Sequence, residues 1–235
     1  FFVATLATLG TFVLVLTQLS DRRWVNVRAT QKGMFRDLHQ VLKDGRHLKR
    51  WVVIGSIGQL PMAMVLPFSQ VYAHEMKGAD AYVLGAMVTG CAVTSILFAI
   101  PLGRLGDRSG RKTVLFIAMP LFWISNLILV WAPNPAFLVA AGVLQGFYYI
   151  ATPIGSAMER ELVSADQMGR WLGINRFFRM LLLALMAGVA GVMWDVIGPQ
   201  YVFLGFVAID LLVRLPLLIG MPETLQNRVA EKVPA

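Results

Sequence analysis

The chain has 235 residues, 57% of them hydrophobic and only 14% charged, with a formal net charge of +8. An average soluble domain is about 25% charged, so a water-soluble fold lacks the polar coverage that this much apolar surface requires. The single cysteine, Cys91, excludes a disulfide framework and thiol metal ligation, and the sequence holds no nucleotide-binding glycine loop, HExxH pattern or nucleophile elbow.

A helix needs about 20 apolar residues to cross the hydrocarbon core of a bilayer. The block at 1–20 meets that length. Without an initiator Met, basic leader or small-residue cleavage site, it reads as a membrane span and not as a signal peptide. A chain that opens inside such a span is expected to be a fragment of a longer protein. Residues 21–50 form the one extended polar region, with nine Lys and Arg. Within it Met34, Phe35, Leu38, Val41 and Leu42 share a face at helical spacing, which predicts an amphipathic helix on the membrane surface; a partly disordered linker is the alternative. Further apolar blocks follow at 51–72, 81–102, 113–132, 136–158, 180–194 with its flanks, and 201–221. In lipid a helix satisfies its own backbone, and none of these blocks alternates as a barrel strand would.

Taken alternately, the loops on one side are 21–50, 103–112, 159–179 and the tail after Pro222. They hold 19 of the 21 Lys and Arg. On the other side Lys77 is the only cation, and Arg214 lies within a span. This is the positive-inside pattern. It predicts a multi-pass protein of a cell (inner or plasma) membrane, with the basic loops and the C-terminus in the cytoplasm. The charge then reports topology, and no nucleic-acid partner is expected.

The decapeptide at 103–112 carries four cations, one carboxylate and three glycines between two uncharged blocks. It reads as a tight hairpin turn between two membrane helices. Gly103, Asp107, Arg108, Gly110, Arg111 and Lys112 fill every defined position of a known pattern: Gly, three residues, Asp, Arg or Lys, one residue, Gly, two basic residues. In this it resembles the signature loop of the major facilitator superfamily (MFS). Pro222-Glu223-Thr224 after the last block, and Glu159-Arg160-Glu161-Leu162-Val163 followed by Gly169-Arg170, are weaker matches. The resemblance implies an all-α membrane protein, with an MFS-type six-helix transmembrane bundle over 51–221 plus one preceding transmembrane helix over 1–20, the family's sixth span. Residues 21–50 then form the cytoplasmic central loop and 222–235 a cytoplasmic tail. The missing partner is an N-terminal six-helix half; association of two copies is the alternative.

Within the decapeptide, Gly103 and Gly110 permit the backbone angles of a turn, and its cations can reach lipid phosphates. The resemblance implies that Asp107 pairs with cations or a neighbouring helix N-terminus, Arg160 being the candidate partner, in a cytoplasmic latch on one transport state. The alternative is that the loop only fixes topology. Asp210 and Arg214 stand four apart in the last span, so they share a face and can pair. Deep in a bilayer such a pair is either a proton or substrate relay, or an internal ion pair with Arg214 reaching towards the interface. The resemblance implies a peripheral last span, which favours the second reading.

Cavity candidates follow from helical spacing. Gln145, Tyr148, Tyr149, Thr152 and Ser156 fall on one face of 136–158, and Ser56, Gln59, Ala63 and Gln70 on one face of 51–72. The resemblance makes these the family's tenth and seventh spans, which face its central cavity. Their amides, hydroxyls and phenols suit a neutral or amphiphilic small-molecule substrate, with interhelical hydrogen bonding as the alternative. Pro61, Pro67 and Pro153 are candidate hinges. Ala184, Ala187, Gly188 and Gly191 form small-xxx-small pairs, expected to pack closely on a neighbouring helix. The three His residues lack metal spacing, and no cofactor or enzymatic constellation is expected. The expected function is secondary active transport of a small solute by alternating access, with a lean towards efflux. A non-transporting receptor or scaffold that kept the fold is the rival.

Overall fold

A computed structural model describes residues 48–163 and 168–221. The chain divides into two units, 1–33 and 34–235, and every described residue belongs to the second. The expected span at 1–20, the surface helix at 34–43 and the tail from Pro222 lie outside the described residues.

Helix α1 (Leu48–Ile57) leads through a wide π-helical turn (Pro61–Val65) into α2 (Leu66–Glu75). Helices α3 (Ala81–Ser109), α4 (Arg111–Trp131), α5 (Pro135–Leu162) and α6 (Met168–Val196) are each continuous. Helix α7 (Pro199–Ile209) passes through a second π-helical turn (Asp210–Arg214) into α8 (Leu215–Ile219). Six spans long and apolar enough to cross a membrane result: α1 with α2, then α3 to α6 singly, then α7 with α8. They coincide with the six blocks predicted from residue 51 onward.

Local chemistry sets the boundaries. The Asp80 carboxylate accepts from Val83 N at 2.8 Å and starts α3. Asn134 Oδ1 accepts from Ala136 N at 3.1 Å and starts α5, with Pro135 as its first residue. Such caps satisfy N–H groups that a helix start leaves unpaired, and a first-turn proline has none to lose.

One expectation fails here. The decapeptide is not a loop: α3 runs on to Ser109, and Gly110 alone separates it from α4. Arg and Leu are good helix formers, and the charged side chains project past the apolar stretch, so nothing stops the helix before Gly110. That residue adopts φ 104°, which a side chain would strain. Gly103 lies inside the helix in open space, away from any turn.

Each π-helical turn is followed by a proline, Pro67 in one case and Pro216 in the other. Proline lacks the N–H that would bond the carbonyl four residues back and crowds that carbonyl. The ladder widens instead, with Leu66 N donating to Pro61 O and Leu215 N to Asp210 O. The extra residue turns whatever follows by about 100° relative to a regular helix.

Helix α5 packs closely on α3 because glycines open the way. A Cβ at Gly142 would lie 2.6 Å from the Met87 backbone, and one at Gly146 would lie 2.6 Å from Cys91 O. The expected close packing of Ala184, Ala187, Gly188 and Gly191 is not found among the described residues. The first three are exposed, and the two glycines face open space. The reason is orientation: α6, with α3, is the least buried span, and turns this apolar face outward.

Candidate functional site

Helices α1, α4, α5 and α6 and the second π-helical turn converge on a cavity of about 40 Å³. Asp210, about halfway along the last span, is 1% exposed. Its Oδ1 accepts from Arg214 Nη1 at 3.2 Å and its Oδ2 from Trp123 Nε1 at 2.6 Å. The sequence reading expected this span at the periphery. Both residues instead form part of the cavity wall.

Helix α6 adds Arg179, whose Nη2 donates to Glu159 Oε2 at 3.0 Å. Glu159 is 3% exposed. Its Oε1 accepts from Trp171 Nε1 at 2.5 Å and from Asn175 Nδ2. The sequence reading missed this cluster, although Trp171, Asn175 and Arg179 stand four apart and so share a helix face. Three donors at that spacing, following the carboxylates of 159–166, were the available signal. The Trp123–Asp210 bond had none, since 87 residues separate its partners.

Two glycines of the first span seat the arginines. A Cβ at Gly55 would lie 2.7 Å from Arg179 Nη2, and one at Gly58 would lie 2.8 Å from Arg214 Nη2. Both guanidiniums therefore press against about one turn of the same helix. Charges this deep are tolerated only when paired, and each arginine has its carboxylate.

The predicted cavity residues divide between two sites. Gln59, Tyr148, Thr152 and Ser156 line the 40 Å³ cavity. Thr152 Oγ1 donates to Tyr148 O at 3.0 Å and Ser156 Oγ to Thr152 O at 3.2 Å, so both hydroxyls serve their own helix. Gln70, Gln145 and Tyr149 line a separate groove of about 470 Å³ between α2, α3 and α5. Gln70 departs because the first π-helical turn shifts its phase. The α5 residues cover about 100° of arc, wide enough to straddle the ridge between the two sites. Ser56 lines neither.

A third pocket, of about 370 Å³, lies at the basic end. It shares Gln59, Ser156 and Arg179 with the inner cavity and adds Glu159, Arg160 and Arg176. Asp107 pairs across the Gly110 turn with Arg111, Oδ1 to Nη2, at 3.0 Å. Among the described residues no ion pair joins Asp107 to Arg160. Lys112 Nζ donates to Ile219 O at 2.8 Å and to Met221 O at 2.7 Å, a cation at the C-terminal end of α8. Arg108 is exposed in the last turn of α3.

The sequence model of the Major Facilitator Superfamily matches residues 51–233. Over 154 residues the chain is 25% identical to Multidrug resistance protein D of Escherichia coli (strain K12), covering 61% of this chain and 37% of that protein. Over 168 residues it is 29% identical to the uncharacterized MFS-type transporter YdgK of Bacillus subtilis (strain 168), covering 72% and 40%. A Gentisate transporter of Corynebacterium glutamicum is 28% identical over 138 residues, covering 57% and 30%. The chain thus spans well under half the length of these curated relatives. The family match runs through all six apolar spans and the cavity they enclose, and on that ground this integral, multi-pass membrane chain belongs to the Major Facilitator Superfamily.

Proposed function

We propose that the chain forms the C-terminal half of a secondary active transporter that moves a small organic solute by alternating access. The observation that carries this reading is the convergence of Gln59, Tyr148, Arg179, Asp210 and Arg214 on one interior cavity. Ionisable groups inside a membrane bundle are costly and mark solute or proton pathways. Residues 51–221 are the C-terminal bundle, and a second six-helix bundle faces it across the solute site. The chain's 37% and 40% share of two relatives supports that division. The bias of Lys and Arg to one end supports a cytoplasmic placement for that end and for the C-terminus.

At about 40 Å³ the inner cavity is far below the roughly 300–1,000 Å³ of a site that encloses a drug-sized ligand. The bundle must therefore rock to admit a whole solute. Similarity to a multidrug resistance protein and to a gentisate transporter supports an organic solute. No observation favours the receptor or scaffold reading.

The test is counterflow in proteoliposomes that hold the product of the complete reading frame, preloaded in turn with a panel of organic acids, amides and cationic dyes. Saturable exchange of at least one class above protein-free vesicles is expected. Exchange no faster than in protein-free vesicles for every class would refute transport.

A further inference from the structure

We infer that the inner cavity is a binding site for the carboxylate of a small organic acid, held by Arg179, Arg214 and Tyr148. The inference rests on the transport reading above and names its substrate class.

The case is a surplus of donors. Both oxygens of Asp210 are engaged, by Arg214 and Trp123. Both oxygens of Glu159 are engaged too, by Arg179 on one side and by Trp171 and Asn175 on the other. The carboxylates of the cavity and of the adjoining pocket have therefore already met donors. Among the described residues four buried donors on the same wall have no partner within the protein: Trp51 Nε1, Arg179 Nε, Arg214 Nε and Tyr148 Oη. Tyr148 is only 6% exposed. Guanidinium groups have no acceptor atoms, and a buried donor without a partner is costly. A carboxylate supplies two oxygens with about four lone-pair sites and matches the guanidinium fork.

Size and field agree with this chemistry. About 40 Å³ is a few times the space a single water needs, enough for a headgroup and too small for a whole solute. The body of the acid would extend into the 370 Å³ pocket, which shares Gln59, Ser156 and Arg179 with the cavity. Across the two, four arginines (160, 176, 179 and 214) face Glu159 and Asp210, a formal excess of +2. Such a field draws anions inward. This replaces the neutral or amphiphilic substrate that the hydroxyls and amides alone had implied.

The test is binding to the purified full-length protein, followed by intrinsic tryptophan emission. Trp51 lines the cavity, Trp123 touches its carboxylate Asp210, and Trp171 touches Glu159 of the adjoining pocket. The probes are acetate, benzoate and succinate, each against its amide, with inorganic phosphate alongside. At least one carboxylate is expected to give a saturable change that its amide does not. Tyr148→Phe, which keeps the ring contacts and leaves no partner stranded, should weaken that binding about tenfold. Gly58→Ala, which displaces the Arg214 head, should weaken it as well. Amides binding as well as acids, phosphate binding more tightly than every carboxylate, no carboxylate binding, or full affinity in both variants would each overturn the inference. Acid binding without flux in liposomes would sink transport and leave the site standing; flux of amides without acid binding would do the reverse.

Discussion

Trp123 donates its indole N–H to Asp210 over 2.6 Å, joining the middle of α4 to the π-helical turn of the last span. The turn exists because Pro216 cannot complete a regular ladder, and it leaves a carboxylate inside the bundle. One side chain thus ties a backbone irregularity to a buried charge.

Trp123→Phe removes that donor and leaves Asp210 with Arg214 as its remaining partner. A loss of about 1–3 kcal/mol in stability is expected for a stranded buried acceptor. Asp210→Ala is expected to cost more, about 3–5 kcal/mol, because Arg214 is left as an uncompensated buried cation. Thermal unfolding in detergent compares the two, and a Trp123→Phe protein as stable as the parent would show that the bond contributes nothing.

Glycine has different consequences in different helices. Gly142→Ala forces a methyl group against the Met87 backbone and should cost about 1–3 kcal/mol through overpacking. Gly188→Ala points into open space and should change stability by less than about 0.5 kcal/mol. The same unfolding assay reads both, and equal losses would contradict the α3–α5 packing described here.

Lys112 holds the carbonyls that end the last span. Lys112→Ala should raise hydrogen exchange at Gly220 and Met221 about tenfold, as expected for loss of a charge-assisted hydrogen bond. Mass spectrometry of the peptide over 215–221 would show it, and unchanged protection would remove this capping role.

The Asp107–Arg111 pair lies at the surface, with the Asp107 side chain 64% exposed. Such pairs contribute about 0–1 kcal/mol, so Asp107→Asn should hardly alter folding. If the pair staples the α3–α4 turn as part of a cytoplasmic latch, the same variant shifts the balance between inward-open and outward-open states. Transport kinetics measured at equal surface expression would detect that shift, and unchanged kinetics would reduce the pair to a fixture of the turn.

The six spans were legible because hydrocarbon imposes a length and excludes charge, a demand visible in every block from 51 to 221. Gly110 was legible for a related reason: a single residue with φ 104° suffices to reverse the chain there. The cavity was only half legible. Tyr148, Thr152 and Ser156 follow regular helical spacing and were found together. Gln59 and Gln70 parted because a π-helical turn between them breaks the period on which the reading relied. Asp210 and Arg214, four apart, were legible as a pair, but the groups that hold them in the cavity were not, because those lie far away in sequence. Trp123 reaches Asp210 across 87 residues, and the glycine seats of Arg179 and Arg214 lie on a helix more than a hundred residues upstream. Periodicity reports what one helix buries, and not which neighbour it meets.

Alternating access to the inner cavity is tested most directly at Ser156, which lines both that cavity and the pocket at the basic end. With every native cysteine replaced, Cys91 included, Ser156→Cys would be challenged with a membrane-impermeant thiol reagent from each face of oriented vesicles. Labelling from both faces, each route closing when solute gradients favour the opposite state, is the expected result. Labelling confined to one face under every gradient would contradict it.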